Sequence, residues 1–139
     1  MSEYYAKYLD MRTIRSRLVI DFIRNYDSFV EDADNLLALN MALQTDGQPH
    51  GTGISDPVAE TASQREKLVE YISAIEAGIR AVPEEYRAVV WEWVKNGTPL
   101  DRIPNAYAGE STYKRKKKVF VQTVAWRMAW GRVEWGMED

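Results

Sequence analysis

The residues best suited to binding chemistry form a cluster of bases near the carboxyl end of the chain. Seven lysines and arginines lie between Ser111 and Val133, with no aspartate or glutamate among them. Between Tyr26 and Gln64 the balance is reversed, since seven acids occur there without any lysine or arginine. Concentrated ammonium and guanidinium groups bind polyanions. The pattern therefore predicts a polyanion-binding element attached to an acidic remainder.

Helical spacing from Ser111 to about Trp130 places most of these bases on one face of a single helix. On a helical wheel the basic face is formed by Ser111, Lys114, Arg115 and Lys118, opposite an apolar face of Tyr113, Phe120, Val124 and Met128. Thr112 flanks the basic face. Lys116 and Lys117 lie at its borders, from which long side chains can reach phosphates.

These side chains favour double-stranded DNA as the ligand. Arginine can donate two hydrogen bonds to one guanine, and serine or threonine hydroxyls can bond to bases or phosphates. A solvated basic helix face is the alternative, but such a face normally mixes acids with bases. The predicted DNA-binding residues are Ser111, Thr112, Lys114, Arg115, Lys116, Lys117 and Lys118.

The elements around this helix are predicted to be helical as well, so the expected fold class is all-α. A first helix spans about 2–24, and a second runs to about Leu43 with its apolar residues Phe29, Leu36, Leu37, Met41 and Leu43 buried. Asp56-Pro57 and Pro83-Glu84-Glu85 predict two further helix starts, and Asn96-Gly97 predicts a helix end. A seam from Leu68 to Val82 has coiled-coil spacing, which suits packing within the chain or dimerisation equally.

A stretch rich in glycine and proline between these helices predicts a domain boundary. Residues 45–53 contain three glycines and one proline, and neither continues a helix without cost. We therefore predict a helical partner-binding or oligomerisation module over 1–44, a linker over 45–56 and a DNA-binding domain over 57–139. A fragment that begins near Ile54 is expected to fold and to bind DNA.

The order of elements after Gly97 is that of a helix-turn-helix unit. A short helix is predicted over 99–103, a turn follows through 105–109, and the basic helix comes next. In such units the second helix enters the major groove, where the positive partial charge at its first turn also favours phosphates.

Three stretches resemble the RinA/ArpU-type phage late-transcription regulators: GISDPVAETA at 53–62, VPEEYR at 82–87 and STYKRKK at 111–117. The resemblance extends from about Gly53 to Trp130. It implies a small phage-encoded activator of late packaging, structural or lysis genes that acts with host RNA polymerase. It also implies a carboxyl-terminal half similar to region 4 of bacterial sigma factors. The turn at 105–109 is longer than is usual in the family.

The composition excludes several other classes of protein. The chain has no cysteine and a single histidine, His50, so thiolate metal sites, thiol nucleophiles and histidine-rich metal cages are excluded. No apolar run approaches the ~20 residues that cross a bilayer, and the first residues lack a signal-peptide pattern. We expect a soluble cytoplasmic protein that is not an enzyme and that uses no cofactor, no metal and no membrane.

A second apolar stripe, centred on Trp126 and Trp130, predicts a contact surface. It can pack against the amino-terminal helices, or it can form an interface in a homodimer or with another protein. Two alternative functions follow from these features: a DNA-recognition subunit of a phage packaging machine, and a helical adaptor that binds protein through Trp126 and Trp130.

Overall fold

The computed structural model describes residues 12–45 and 56–136, which are mostly helical. The predicted helical fold is therefore confirmed for these ranges, although a small parallel sheet accompanies the helices. The elements are β1 (Thr13–Arg15), α1 (Ser16–Arg24), α2 (Tyr26–Thr45), α3 (Pro57–Arg80), α4 (Glu84–Val94), a 3₁₀ turn (Leu100–Arg102), α5 (Glu110–Arg127) and β2 (Arg132–Glu134).

The chain divides into two compact units. One, which we call the basic unit, comprises residues 1–25 and 74–139, and the other, the acidic unit, comprises 26–73. One division falls between α1 and α2, and the other falls within α3. The predicted division into 1–44 and 57–139 therefore has different boundaries from these units. Most of the predicted linker, 46–55, lies outside the described residues.

The core of the basic unit is built from α1, α4, α5 and the last turns of α3. Its most completely buried side chains are Val19, Ile23, Ile75, Val82, Val90, Val94, Tyr113, Phe120, Val121 and Val124. Each such side chain contributes about 1.5–3 kcal/mol through removal of apolar surface from water. Trp91 of α4 stacks on Phe120 of α5 with ring centroids 6.0 Å apart, so these two helices are joined by aromatic as well as aliphatic contacts.

The predicted helix starts of α3 and α4 are confirmed. Asp56 accepts hydrogen bonds at Oδ1 from the amides of Val58 and Ala59, at 3.0 and 3.3 Å, and Pro57 occupies the first position of α3. α4 begins at Glu84, directly after Pro83. Aspartate supplies an acceptor for amides that lack a partner within the helix, and proline loses no hydrogen bond at a first turn.

The predicted end of α4 at Asn96-Gly97 is confirmed too. The helix proper ends at Val94, and Gly97 has a φ of +74°. This left-handed conformation lets the Thr98 amide bond back to the Glu92 carbonyl at 3.2 Å.

Part of the predicted burial in α2 is wrong. Leu37 and Met41 are 40% and 58% exposed, whereas Ala33 is buried. Phe29, Leu36 and Leu43 are half-buried, and Phe29 packs on Tyr71 with ring centroids 5.4 Å apart. The described part of the acidic unit consists of α2 and part of α3, and two helices cannot enclose all of their apolar side chains.

The parallel sheet was not predicted because strands of three residues carry almost no periodic signal. The predicted first helix over about 2–24 is wrong at 13–15, where β1 lies, and is confirmed from Ser16 to Arg24; its residues before Arg12 lie outside the described ranges. β1 and β2 pair with Ile14 opposite Val133 and Arg15 opposite Glu134. Gly131 precedes β2 with a φ of +98°, and a Cβ there would lie 2.5 Å from the Arg12 carbonyl oxygen. Glycine thus permits the close approach of the two strands. Within the residues described, no helix is both long and apolar enough to cross a membrane.

Candidate nucleic-acid interface

Tyr113 anchors the first turns of α5 in the core. The residue is 1% exposed, and its ring meets Tyr86 of α4 edge-on at 5.9 Å. Its hydroxyl accepts a hydrogen bond from the Ala108 amide at 3.4 Å, in the turn that leads into the helix. Both the helix and the preceding turn are therefore fixed to α4 by one side chain.

The four residues of the predicted basic face, Ser111, Lys114, Arg115 and Lys118, are all exposed. Lys114 forms an ion pair with Glu110 at 3.5 Å, and Arg115 donates a 3.5 Å hydrogen bond to the Thr112 hydroxyl. Both contacts lie at the surface, where such pairs contribute little and exchange readily for other partners. The basic face is therefore accessible to a ligand.

The two border lysines lie against aromatic rings of α4. The ammonium of Lys116 is 5.4 Å from the ring centroid of Tyr86, and that of Lys117 is 4.7 Å from that of Trp93. Both residues are half-buried. Cation–π contacts of this kind contribute about 0.5–2 kcal/mol. Lys117 therefore joins α5 to α4, a role additional to the predicted phosphate contact.

The turn between α4 and α5 is held by Glu92. Its carboxylate accepts hydrogen bonds from the Thr98 hydroxyl and from the Asn96 side-chain amide, each at 2.7 Å. The Thr98 hydroxyl, followed by the Asn96 amide, holds the pKa of Glu92 below its ordinary value. These bonds fix the start of the segment that contains the 3₁₀ turn, so the geometry between α4 and α5 depends partly on an ionised carboxylate.

Two guanidinium groups close the carboxyl ends of the helices that support α5. Arg87 donates to the carbonyls of Val82 and Arg80 at 2.7 and 2.9 Å, at the end of α3. Arg24 donates from Nε to the Val94 carbonyl at 3.1 Å, at the end of α4. Because cations favour helix carboxyl ends, both arginines stabilise the support of the basic face.

The two compact units carry opposite charge. Over its full sequence the basic unit contains sixteen lysines and arginines against twelve acids, a formal charge of +4. The acidic unit contains two bases against nine acids, a formal charge of −7. The net charge of −3 for the whole chain is the sum of these two values, so it conceals a positive unit that contains α5.

The structure adds four arginines to this unit that the sequence analysis did not single out. Arg12 directly precedes β1, and Arg15 is the last residue of β1. Arg17 and Arg24 belong to α1. One signal could have identified them: these four bases precede the first acid of the acidic stretch, Asp27, and Asp21 is the single acid among them. Trp135 was missed as well, although the ammonium of Lys118 lies 5.5 Å from its ring centroid.

Trp126 and Trp130 do not share a surface of α5, because the helix ends at Arg127. Ala129 has a φ of +59° and turns the chain away toward β2. Trp130 meets Phe22 of α1 edge-on with ring centroids 4.8 Å apart. Trp126 is 55% exposed. Of these two rings, Trp126 is thus the one largely open to a partner.

In the described ranges, no three acids or histidines lie together in a way that could hold a metal ion. No family model, curated protein or solved structure matches this chain.

Proposed function

We propose that this chain binds double-stranded DNA sequence-specifically by placing the amino-terminal half of α5 in the major groove. The proposal rests on one observation: Ser111, Lys114, Arg115 and Lys118 are exposed together on a helix whose opposite face is fixed in the core. Arg115 can donate two hydrogen bonds to a guanine, and the lysines can bind phosphates on either side of the groove.

The arrangement of neighbouring elements supports this proposal. α4, the 3₁₀ turn, the segment 103–109 and α5 follow one another in the order of a helix-turn-helix unit, which we propose is similar to sigma-factor region 4. The formal charge of +4 on the basic unit favours association with a polyanion, and it steers DNA toward this unit rather than toward the acidic one, whose formal charge is −7.

The regulatory part of the proposal comes from the resemblance to RinA/ArpU-type proteins. We infer that the chain activates late phage genes in the cytoplasm of a host cell and acts with host RNA polymerase. Phosphates repel the acidic unit, which leaves α2 available for protein contacts, with polymerase or with a second copy of the chain.

Selection of bound sequences from a random duplex library tests the proposal. The full chain should enrich a defined site, which is then used in gel-shift assays. The triple variant Lys114→Ala, Arg115→Ala, Lys118→Ala should lose specific binding while keeping its helical spectrum, because the substituted side chains are exposed. Arg80→Ala is a matched control, since Arg80 pairs with Glu76 on α3.

Unchanged affinity in the triple variant would contradict the assignment of α5 to the groove. If the intact chain retains no DNA at low salt, the adaptor alternative is favoured, with the exposed Trp126 as its contact residue. A ring-sized mass in size-exclusion chromatography together with DNA binding would favour the packaging subunit.

A further inference from the structure

A cleft of about 910 Å³ lies in the basic unit beside α5. Its walls come from Arg15 of β1, from one side of α1 along its length, from Lys117 of α5 and from residues 134–136. Four cations line it, namely Arg15, Arg17, Arg24 and Lys117, together with the acids Asp21 and Glu134. The formal charge of these side chains is +2, so the cleft favours an anion.

Two of the four cations are available for a ligand. Arg24 is engaged with the Val94 carbonyl, and Lys117 lies over Trp93. Arg15 and Arg17 are exposed, and neither guanidinium has a hydrogen bond or an ion pair with any residue in the described ranges. Guanidinium groups match phosphate in geometry because they donate two parallel hydrogen bonds to it.

The cleft is continuous with the basic face of α5 through Trp135. This ring lines the cleft, and the ammonium groups of Lys117 and Lys118 lie 5.9 and 5.5 Å from its centroid. Lys118 belongs to the basic face, so an anion in the cleft would be a neighbour of any ligand on that face. Because the ammonium groups of these two lysines already lie near the Trp135 ring, the ring is a poor surface for stacking a nucleobase. Phosphate is therefore the better match.

We infer that Arg15 and Arg17 bind backbone phosphates of the same duplex whose groove α5 occupies. This inference rests on the proposed function. It adds a second contact element, β1 and the first turn of α1, that positions the protein on DNA without contributing to sequence preference. The sheet between β1 and β2 fixes this element beside the end of α5, because the backbone of residue 15 lies opposite that of residue 134 in the strand register.

The test compares the salt dependence of duplex affinity in the full chain and in its Arg15→Gln, Arg17→Gln double variant. The selected duplex and a scrambled duplex are both titrated by fluorescence anisotropy at several salt concentrations. Loss of two phosphate contacts should reduce the slope of log affinity against log salt by about 1.8, since each phosphate contributes about 0.9. Affinity at ~0.15 M salt should fall on the order of tenfold, by the same factor for both duplexes.

Two further variants distinguish a phosphate contact from a general effect of charge or folding. Lys67→Gln with Arg80→Gln removes two positive charges that do not line the cleft, and it should leave the slope unchanged. Glu134→Gln removes an acid from the cleft and should increase affinity for both duplexes, which a merely destabilised protein would not do.

The outcomes separate this inference from the proposed function. If the wild-type slope is steep and the Arg15, Arg17 variant keeps it, the cleft does not bind DNA although α5 does. A changed sequence preference in that variant would overturn the assignment to phosphates. A wild-type slope near zero would overturn the proposed function together with this inference.

Discussion

Single side chains determine how firmly α5 is held and which of its bases face outward. Tyr113 at 1% exposure fixes the start of the helix, and Lys117 extends over Trp93. Arg115, by contrast, has only a 3.5 Å contact with Thr112. A residue's position on the wheel predicted which side chains are exposed, because helix periodicity follows from backbone geometry alone. The aromatic partners of Lys116 and Lys117 could not be predicted, since they come from α4 and from the segment after β2.

Because of Glu92, the stability of the turn before α5 depends on pH. Its pKa is lowered by hydrogen bonds from Thr98 and Asn96, so the ionised carboxylate stabilises the folded chain. This contribution is present at pH values above the ordinary glutamate pKa of about 4.3 and is lost as pH falls through the lowered folded value. Glu92→Gln should therefore lower the thermal midpoint at pH 7, and the difference from wild type should shrink at pH 3.

Thermal unfolding followed by circular dichroism at the two pH values measures this difference. Glu70→Gln provides the control, because Glu70 is exposed in the middle of α3, away from both ends of the helix. If Glu92→Gln lowers the thermal midpoint by the same amount at both pH values, this result would contradict the role of the ionised carboxylate.

Helix boundaries follow from local sequence signals, whereas helix packing depends on distant partners. Asp56-Pro57, Pro83 and Gly97 act within one turn of the backbone, and the boundaries they predicted are confirmed. The pairing of β1 with β2 and the contact of Arg24 with Val94 join residues far apart in the chain; Arg24 and Val94 are separated by 70 positions. No local pattern specifies such partners, so the location of α1 and its arginines beside α5 could not be predicted.

The close approach of α3 to α5 depends on Gly78. A Cβ at this position would lie 2.5 Å from Val124 Cγ2 and 2.9 Å from the Phe120 carbonyl oxygen. Because a backbone atom cannot rotate away, Gly78→Ala should destabilise the fold by about 1–3 kcal/mol despite the better helix propensity of alanine.

Denaturant unfolding of Gly78→Ala and Gly109→Ala measures this effect. A methyl group added at Gly109 would have no atom within 4 Å, and the residue has an ordinary φ of −67°. Its alanine variant should therefore change stability by only about 0.5 kcal/mol. Equal stability of wild type and Gly78→Ala would show that α3 and α5 are not in such close contact.

At the scale of the whole molecule, charge and packing divide the chain in the same way. The residues of the basic unit carry the positive charge, and α1 belongs to that unit through Val19, Ile23 and the contact between Phe22 and Trp130. The glycine-rich stretch predicted a boundary near residues 45–56, because glycine and proline do not continue a helix without cost. Such a pattern does not indicate which helices pack together.

The packing of α1 changes the expectation for a fragment that begins near Ile54. Such a fragment lacks Val19 and Ile23, whose full burial contributes roughly 3–6 kcal/mol together. It also lacks Phe22, which packs against Trp130. The total stability of a domain is about 5–15 kcal/mol. We therefore expect residues 54–139 alone to be largely unfolded by circular dichroism and to show no cooperative thermal transition. A transition close to that of the full chain would contradict the contribution of α1 to the core.

We propose that the exposed basic face of α5 binds DNA, and measurement of duplex affinity at several salt concentrations is a direct test of this claim. With about five or more phosphates neutralised, log affinity should fall against log salt with a slope of about −4.5 or steeper. The Lys114→Ala, Arg115→Ala, Lys118→Ala variant should have a clearly shallower slope. A wild-type slope near zero, or an equal slope in this variant, would contradict the claim.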